Sequence, residues 1–439
     1  MTEPFDLVLR SSRTVLPDGV RPAAVCVRDG VIAAVGGHRD ALIATNDLDL
    51  ADTALLPGLV DTHVHVNEPG GTGWEGFASA TRAAAAGGVT TLIDMPLNSI
   101  PPTVDVPALD AKRKAAAGKC FVDVGFWAGA IPGSTLALRP LHEAGVFGYK
   151  CFLADSGVEE FPALTVPEMH AALREIARFD GLLIVHAEDA AALKEGRSSI
   201  RYRDFLASRP AAAEDSAIAA VISAARQHGA RAHILHLAAA GALARIAAAK
   251  ADGVRITVET CPHYLTFGAD EIEDGATQYK CCPPIRDGTD RDALWAALDA
   301  GVIDIVVFDH SPSTPDLKRL DTGDFAAAWG GISSLQLGLS AVWTGARARG
   351  HGLDQVARWM ASGPADLAGL PAKGRIAAGC DADLVVFDPE AEFTVDGAAL
   401  HHKNPVTPYE GRALRGVVQA SYLRGVQIAD SPQGQFLTL

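Results

Sequence analysis

Positive charge is in short supply: 38 lysines and arginines stand against 53 aspartates and glutamates, a formal net charge of −15. Nucleic-acid phosphates and anionic membrane surfaces are held by basic patches, so neither is an expected partner. No stretch of about 18 apolar residues occurs, and the start, Met1-Thr2-Glu3-Pro4-Phe5-Asp6, has neither the basic nor the apolar region of a secretory leader. A cytoplasmic location is the expectation. Cysteine is sparse and unpatterned, with seven in all, Cys281 next to Cys282 and no Cys-x-x-Cys pair. That excludes a disulfide framework and a zinc ribbon. No Gly-x-Gly-x-x-Gly turn follows a strand pattern and no Gly-x-Ser-x-Gly elbow is present, which removes the signatures of a dinucleotide-binding sheet and of a serine hydrolase. A small-molecule partner remains.

With 439 residues, 48% of them hydrophobic and 21% charged, the chain can bury a large core and suits one large domain plus a smaller one. Its first fifty residues read as short strands, Phe5 to Leu9, Ala24 to Val27 and Val31 to Val35, with Asp29-Gly30 as a hairpin turn. Strand patterns return at Ala382 to Phe387, Gly416 to Ala420 and Ser421 to Val426. The two ends, 1–53 and 375–439, are expected to fold together as a small β-sandwich domain. Between them, over 54–374, strands alternate with Ala-rich helices such as Ala217 to Gln227 and Arg291 to Ala300. Eight strands are expected: Ala54–His65, Gly88–Asp94, Phe121–Ala128, Val146–Phe152, Leu182–His186, Ala232–His236, Arg255–Thr260 and Ile303–Asp309. Most are continuous apolar runs, as parallel strands buried on both faces require. Eight β/α units predict an α/β chain built on a (β/α)₈ barrel.

A barrel places its chemistry at the C-terminal strand ends. His63 and His65 close the first strand, two residues apart and therefore on one face, as two imidazoles sharing a metal must be. Asn98 follows the second strand, Lys150 lies late in the fourth, His186 and His236 end the fifth and sixth, and Asp309 ends the eighth. Each has an ordinary structural reading: a hydrogen-bonded core histidine, a lysine reaching solvent, an aspartate capping a helix. Their coincidence in one barrel mouth argues for a shared site. Four histidines and an aspartate suit zinc or a similar divalent ion, and exceed what one open catalytic zinc needs. Two ions roughly 3.5–4 Å apart would account for the surplus. An ammonium beside two dications is disfavoured, so Lys150 must be neutral or converted, and a carbamate made with carbon dioxide would be an anionic bridge. Asp309 can take a proton from an attacking water and return it to a leaving nitrogen. The implied chemistry is metal-assisted hydrolysis of a C–N bond.

The segments carrying these residues resemble those of the cyclic amidohydrolases, the family of dihydroorotase, hydantoinase/dihydropyrimidinase and allantoinase. Pro57-Gly58-Leu59-Val60-Asp61-Thr62-His63-Val64-His65 is similar to its opening metal motif and Gly148-Tyr149-Lys150-Cys151-Phe152-Leu153 to its carbamylated-lysine motif. Val185-His186-Ala187-Glu188, His233-Ile234-Leu235-His236-Leu237 and Val307-Phe308-Asp309-His310-Ser311-Pro312 resemble the other ligand segments. Within the family, the blocks at 65–70, 94–99, 259–265, 280–286 and 328–336 are closest to the allantoinase branch. Asn67 stands where dihydroorotase has an arginine for its substrate carboxylate, and an amide cannot neutralise an anion. A neutral ureido-hydantoin such as allantoin therefore fits better, with hydantoins as the alternative substrates. Asp155-Ser156 replaces the oxyanion-donating tyrosine of hydantoinases, which points to Ser156 instead.

The resemblance implies that His63 and His65 bind one ion with Asp309, that His186 and His236 bind the other, and that Lys150, as N6-carboxylysine, bridges them. It implies two divalent ions, zinc first with manganese or cobalt as alternatives, and a homotetramer. Asn98, Ser156, Cys282, Ser311 and Gly330 are the implied substrate contacts, Cys282 and Gly330 through their backbones. Phe308 replaces a common serine before Asp309. Glu68, Glu75 and Lys318 are expected by default on the surface, where they would solvate or cap loop ends, and any further role for them is open.

Overall fold

The computed structural model describes residues 3–439. Strands from both chain ends make one eight-stranded sheet whose order runs Val426–Gln427, Ala413–Leu423, Leu384–Thr394, Ala54–Pro57, Phe5–Leu16, Gly19–Arg28, Val31–Gly36, with Ala44–Asp49 also paired to Phe5–Leu16. The Asp29-Gly30 turn is where it was expected, and both residues have positive φ, 52° and 78°, as a two-residue hairpin loop requires. Leu7, Leu9, Val25, Val27, Leu55, Leu384 and Val386 fill the interior of this small β-domain. The patterns at 416–420 and 421–426 are not separate strands: Ala413–Leu423 runs on through both, and the turn at Arg424-Gly425, φ 48° and 76°, starts the next.

The eight-unit barrel is built from two parallel arcs. One orders Leu59–Val64, Val89–Asp94 and Asp123–Phe126; the other orders Ala128–Gly129, Tyr149–Phe152, Leu182–His186, Arg231–Ile234, Ile256–Thr260 and Ile305–Val306. Asp123–Phe126 and Ala128–Gly129 are halves of the expected third strand, interrupted at Trp127, and so join the arcs on one side. The bridge Val64 to His310 and the His65 N–H donated to the His310 carbonyl, 2.8 Å, close the other. Helices Ala211–His228 and Gly288–Asp299 occupy the positions expected from 217–227 and 291–300. Among the described residues, no helix is long and apolar enough to cross a membrane.

The first expected strand, Ala54–His65, is two. Ala54–Pro57 pairs antiparallel with Leu384–Phe387 in the chain-end sheet, whereas Leu59–Val64 enters the barrel. Gly58 lies at the break against Thr90, so closely that a Cβ there would be 2.1 Å from Thr90 Oγ1. Below the barrel, Lys373 Nζ reaches Asp123 Oδ2 at 2.6 Å and Asp383 Oδ2 at 2.8 Å, tying barrel floor to β-domain. The geometry at the opposite, C-terminal ends of the strands is left open for chemistry.

Candidate metal centre and active-site cavity

All six candidate ligands and all five candidate contacts line one cavity of about 410 Å³ at those strand ends. One donor atom each from His63, His236 and Asp309 lies within 4.8 Å of the other two, and all three residues are buried. His63 Nε2 is 3.2 Å and His65 Nε2 3.5 Å from Asp309 Oδ1. The His186 ring stands 4.6 Å from that of His236, and Lys150, 1% exposed, extends its ammonium over the Phe152 ring at 4.7 Å. Positive φ at Asn67, Asn98, His236 and Asp309, 65°, 62°, 38° and 45°, turns the chain sharply just where these strands end. Non-glycine residues hold such angles only under constraint from their surroundings.

Those surroundings include acids that sequence reasoning left without a role. Glu259, fully buried, takes His63 Nδ1 at 2.5 Å on one oxygen and His233 Nε2 at 2.9 Å on the other, and also accepts the His236 N–H at 3.2 Å. His233 is fixed in turn by Thr257 Oγ1, 2.7 Å from its Nδ1. An ionised carboxylate only accepts, so with Glu259 ionised the His63 proton sits on Nδ1 and the Nε2 lone pair faces the cavity. That Nε2 atom is buried without a hydrogen-bond partner among the described residues, as is His236 Nδ1. Two orphaned imidazole nitrogens beside a buried carboxylate are costly unless something electrophilic meets them, and the donor set fits a divalent cation. Glu188 plays the same part for the fifth strand. It lies two residues beyond His186, takes His186 Nε2 at 2.8 Å, and is gripped by Arg209 through Nε at 3.1 Å and Nη2 at 2.5 Å. The i, i+2 relation of Glu188 to His186 was readable in the sequence; the pairing of Glu259 with His63, 196 positions away, was not.

Electrostatics follow from burial. Desolvation pushes Glu259 up to about 8, opposed by the Lys150 charge and the His236 N–H. It also lowers the Lys150 ammonium and raises the Asp309 carboxyl, each partly held back by the other. For Glu188 burial again acts upward, yet the hydrogen bonds and charges of His186 and Arg209 win and bring it to about 2.

The expectation of solvated Glu68, Glu75 and Lys318 is overturned. Glu75 is wholly buried and takes His310 Nε2 at 3.1 Å; Lys318, 2% exposed, donates to the carbonyls of Trp329 and Gly331, holding the loop that carries Gly330. Glu68, 7% exposed, accepts the Phe77 N–H at 2.9 Å at the start of a helix and meets Lys119. Ser156 lines the cavity, but its hydroxyl donates to the Phe161 carbonyl, 2.7 Å, within its own loop. Asn98 Nδ2 lies 3.5 Å from His65 Nδ1, and Asn67 is buried with both amide atoms unpartnered among the described residues. Phe308, 1% exposed, packs in the barrel core and leaves Asp309 in the cavity.

The sequence model of the Amidohydrolase family matches residues 54–427. An allantoinase of Streptomyces avermitilis is 58% identical over 99% of this chain and 98% of that protein. An allantoinase of Arabidopsis thaliana is 43% identical over 95% of this chain and 87% of its own length. Among solved structures, an L-hydantoinase (dihydropyrimidinase) from Arthrobacter aurescens superposes with a TM-score of 0.93 at 28% identity, covering 99% of this chain and all of that one.

Proposed function

The chain belongs to the amidohydrolase family, and from that premise we propose that it hydrolyses the hydantoin-ring amide of allantoin to give allantoate. The observation that carries the reading is the meeting of His63, His65, Lys150, His186, His236 and Asp309 in one cavity, in a chain 58% identical to an allantoinase over nearly its whole length. His63, His65 and Asp309 would hold one divalent ion and His186 and His236 a second, with Lys150 as N6-carboxylysine between them. Zinc suits the nitrogen-rich donor set, with manganese or cobalt as alternatives. Bound there, such ions would polarise the scissile carbonyl and make water acidic enough to attack at neutral pH.

The residues of the chain supply the rest. Burial leaves the Lys150 amine more often neutral, the form that adds carbon dioxide and releases a proton to become a carbamate. Glu259 and Glu188 keep one nitrogen of His63 and of His186 protonated, so that each ring presents a single lone pair inward. Asp309 accepts the proton of the attacking water and returns it to the ring nitrogen as the C–N bond breaks. Asn98, Ser311 and the backbones of Cys282 and Gly330 contact the substrate ring. Ser156 acts as a contact through its loop position, since its hydroxyl is engaged elsewhere.

In this reading 54–374 is the catalytic barrel and 1–53 with 375–439 the composite β-domain, to whose sheet Ala54–Pro57 is also attached. The resemblance to the family implies a homotetramer, and light scattering of the purified protein reads the assembly. The test of function is ring opening of allantoin by zinc-, manganese- or cobalt-loaded protein, against hydantoin, dihydrouracil and dihydroorotate. Preference for allantoin that vanishes on chelation is the expected result. Preference for hydantoin or dihydrouracil would make the protein a hydantoinase, and no turnover of any ring with metal bound would refute the enzymatic reading.

A further inference from the structure

Three charged side chains line the cavity besides the candidate ligands: Asp155, Arg209 and Lys280. Asp155 is turned back on its own loop, accepting the Gly157 N–H at 3.0 Å, and the Lys280 ammonium is taken up by the carbonyls of Ala326, 3.2 Å, and Ala328, 2.5 Å. Arg209 differs. Its Nε and Nη2 are both spent on Glu188, but Nη1 has no hydrogen-bond partner among the described residues. The side chain is 19% exposed, on the wall of the cavity.

Its mounting is rigid. Arg209 ends the helix Tyr202–Ser208 and Pro210 precedes Ala211–His228, so it occupies a tight joint between two helices. Its N–H donates to the Leu206 carbonyl at 3.2 Å, and its own carbonyl accepts Arg286 Nη1 at 2.7 Å. Glu188 fixes the plane of the guanidinium by a two-point grip, and the same carboxylate holds His186 at 2.8 Å. The free Nη1 edge is thus one carboxylate removed from a candidate metal ligand. Arg209 lines the same cavity as His63, Lys150 and Asp309, so a ring whose amide lies among those three has a charged donor in its own cavity for a substituent to meet.

We propose that Arg209 is a specificity-determining residue that reads the ureido arm of the substrate, donating from Nη1 to the ureido carbonyl oxygen; the proposal rests on the allantoin reading above. A fixed charged donor suits the neutral, strongly accepting oxygen of a pendant ureido arm, which allantoin carries and unsubstituted hydantoin lacks. Leaving such a donor unmet inside a cavity penalises ligands without the arm. Arg209 thereby supplies part of the discrimination that the neutral Asn67 cannot.

The experiment compares wild type and Arg209→Lys, both loaded with cobalt, by KM and kcat for allantoin and by the inhibition constant of hydantoin as a competitor. Lysine keeps the charge but cannot both grip Glu188 in two places and present a fixed second donor. The expected result is an allantoin KM raised about 10–100-fold, the worth of one charge-assisted hydrogen bond, with the hydantoin constant changed less than about threefold. Both constants are independent of the fraction of active protein, so partial misfolding does not obscure them. An unchanged cobalt absorption spectrum shows that His186 keeps its environment. Should Arg209→Lys not fold, Arg209→Ala with added guanidinium ion takes its place, restoring a low allantoin KM if the proposal holds. An unchanged allantoin KM, or a hydantoin constant rising in parallel, would overturn it and leave Arg209 as a clamp on Glu188. Wild type that opens no allantoin would instead refute the reading on which the proposal rests.

Discussion

Glu259→Gln separates what the buried acid does for the proposed metal site from what it does for the fold. The carboxylate takes His63 Nδ1, His233 Nε2 and the His236 N–H at 2.5, 2.9 and 3.2 Å. A glutamine offers one oxygen and one NH₂, so one of the two imidazoles must change tautomer or lose its partner. If His63 changes, its Nε2 carries the proton and no longer presents a lone pair to the cavity. Second-sphere losses of this kind cost about 10–100-fold in metal affinity, roughly 1.4–2.7 kcal/mol. For the metal-free fold the sign is opposite. An acid raised to about 8 by burial, against about 4.3 when unfolded, costs stability once the pH exceeds the unfolded value. At pH 7 that cost is roughly 4 kcal/mol, and the neutral amide escapes it. The expected outcome is a variant that binds cobalt or zinc more weakly in chelator competition, with a shifted cobalt absorption spectrum, yet melts no lower than wild type when metal-free. Unchanged affinity with a lowered metal-free melting temperature would refute the reasoning and make Glu259 a structural acid.

Lys150→Ala is expected to lose roughly 10²–10³-fold in activity, equivalent to several kcal/mol of lost metal assistance, and to regain part of it with added short carboxylic acids; full activity without them would exclude the bridging role. His263 is buried with both ring nitrogens unpartnered among the described residues, and burial lowers it from 6.5 to about 3. Between those values the unfolded chain binds the extra proton, so stability falls as pH drops from 6.5 toward 3, by about 1.4 kcal/mol per pH unit from this group. Urea unfolding of His263→Gln at pH 7, 6 and 5 should show a shallower acid slope, and an unchanged slope would exclude this source. Gly58→Ala forces a Cβ to within 2.1 Å of Thr90 Oγ1 and should cost about 1–3 kcal/mol, partly recovered in Gly58→Ala/Thr90→Gly, as thermal unfolding would show.

Much of the site was legible because it rests on short-range periodicity. His63 and His65 share a face in any extended strand, and a strand running from apolar residues into His186, His236 or Asp309 marks its own C-terminal end whatever it packs against. The barrel followed from counting such strands, and the composite β-domain from alternating patterns at both chain ends.

Other features had no local signal. Continuous apolar character from 54 onward does not reveal that Ala54–Pro57 serves one sheet and Leu59–Val64 another; the approach of Thr90 to Gly58 decides that. Glu75 and Lys318 looked like loop charges because nothing in their neighbourhoods foretells burial. Only the folded chain brings His310 to Glu75 and two loop carbonyls to Lys318, compensating charges that would otherwise be too costly to bury. The amino-acid sequence by itself determined which side chains reach the barrel mouth, since strand geometry repeats every two residues. Tertiary structure alone decided which acids stand behind them and which nitrogen of His63 and of His236 is left without a partner among the described residues, because those contacts join residues such as His63 and Glu259 that are adjacent only after the barrel closes.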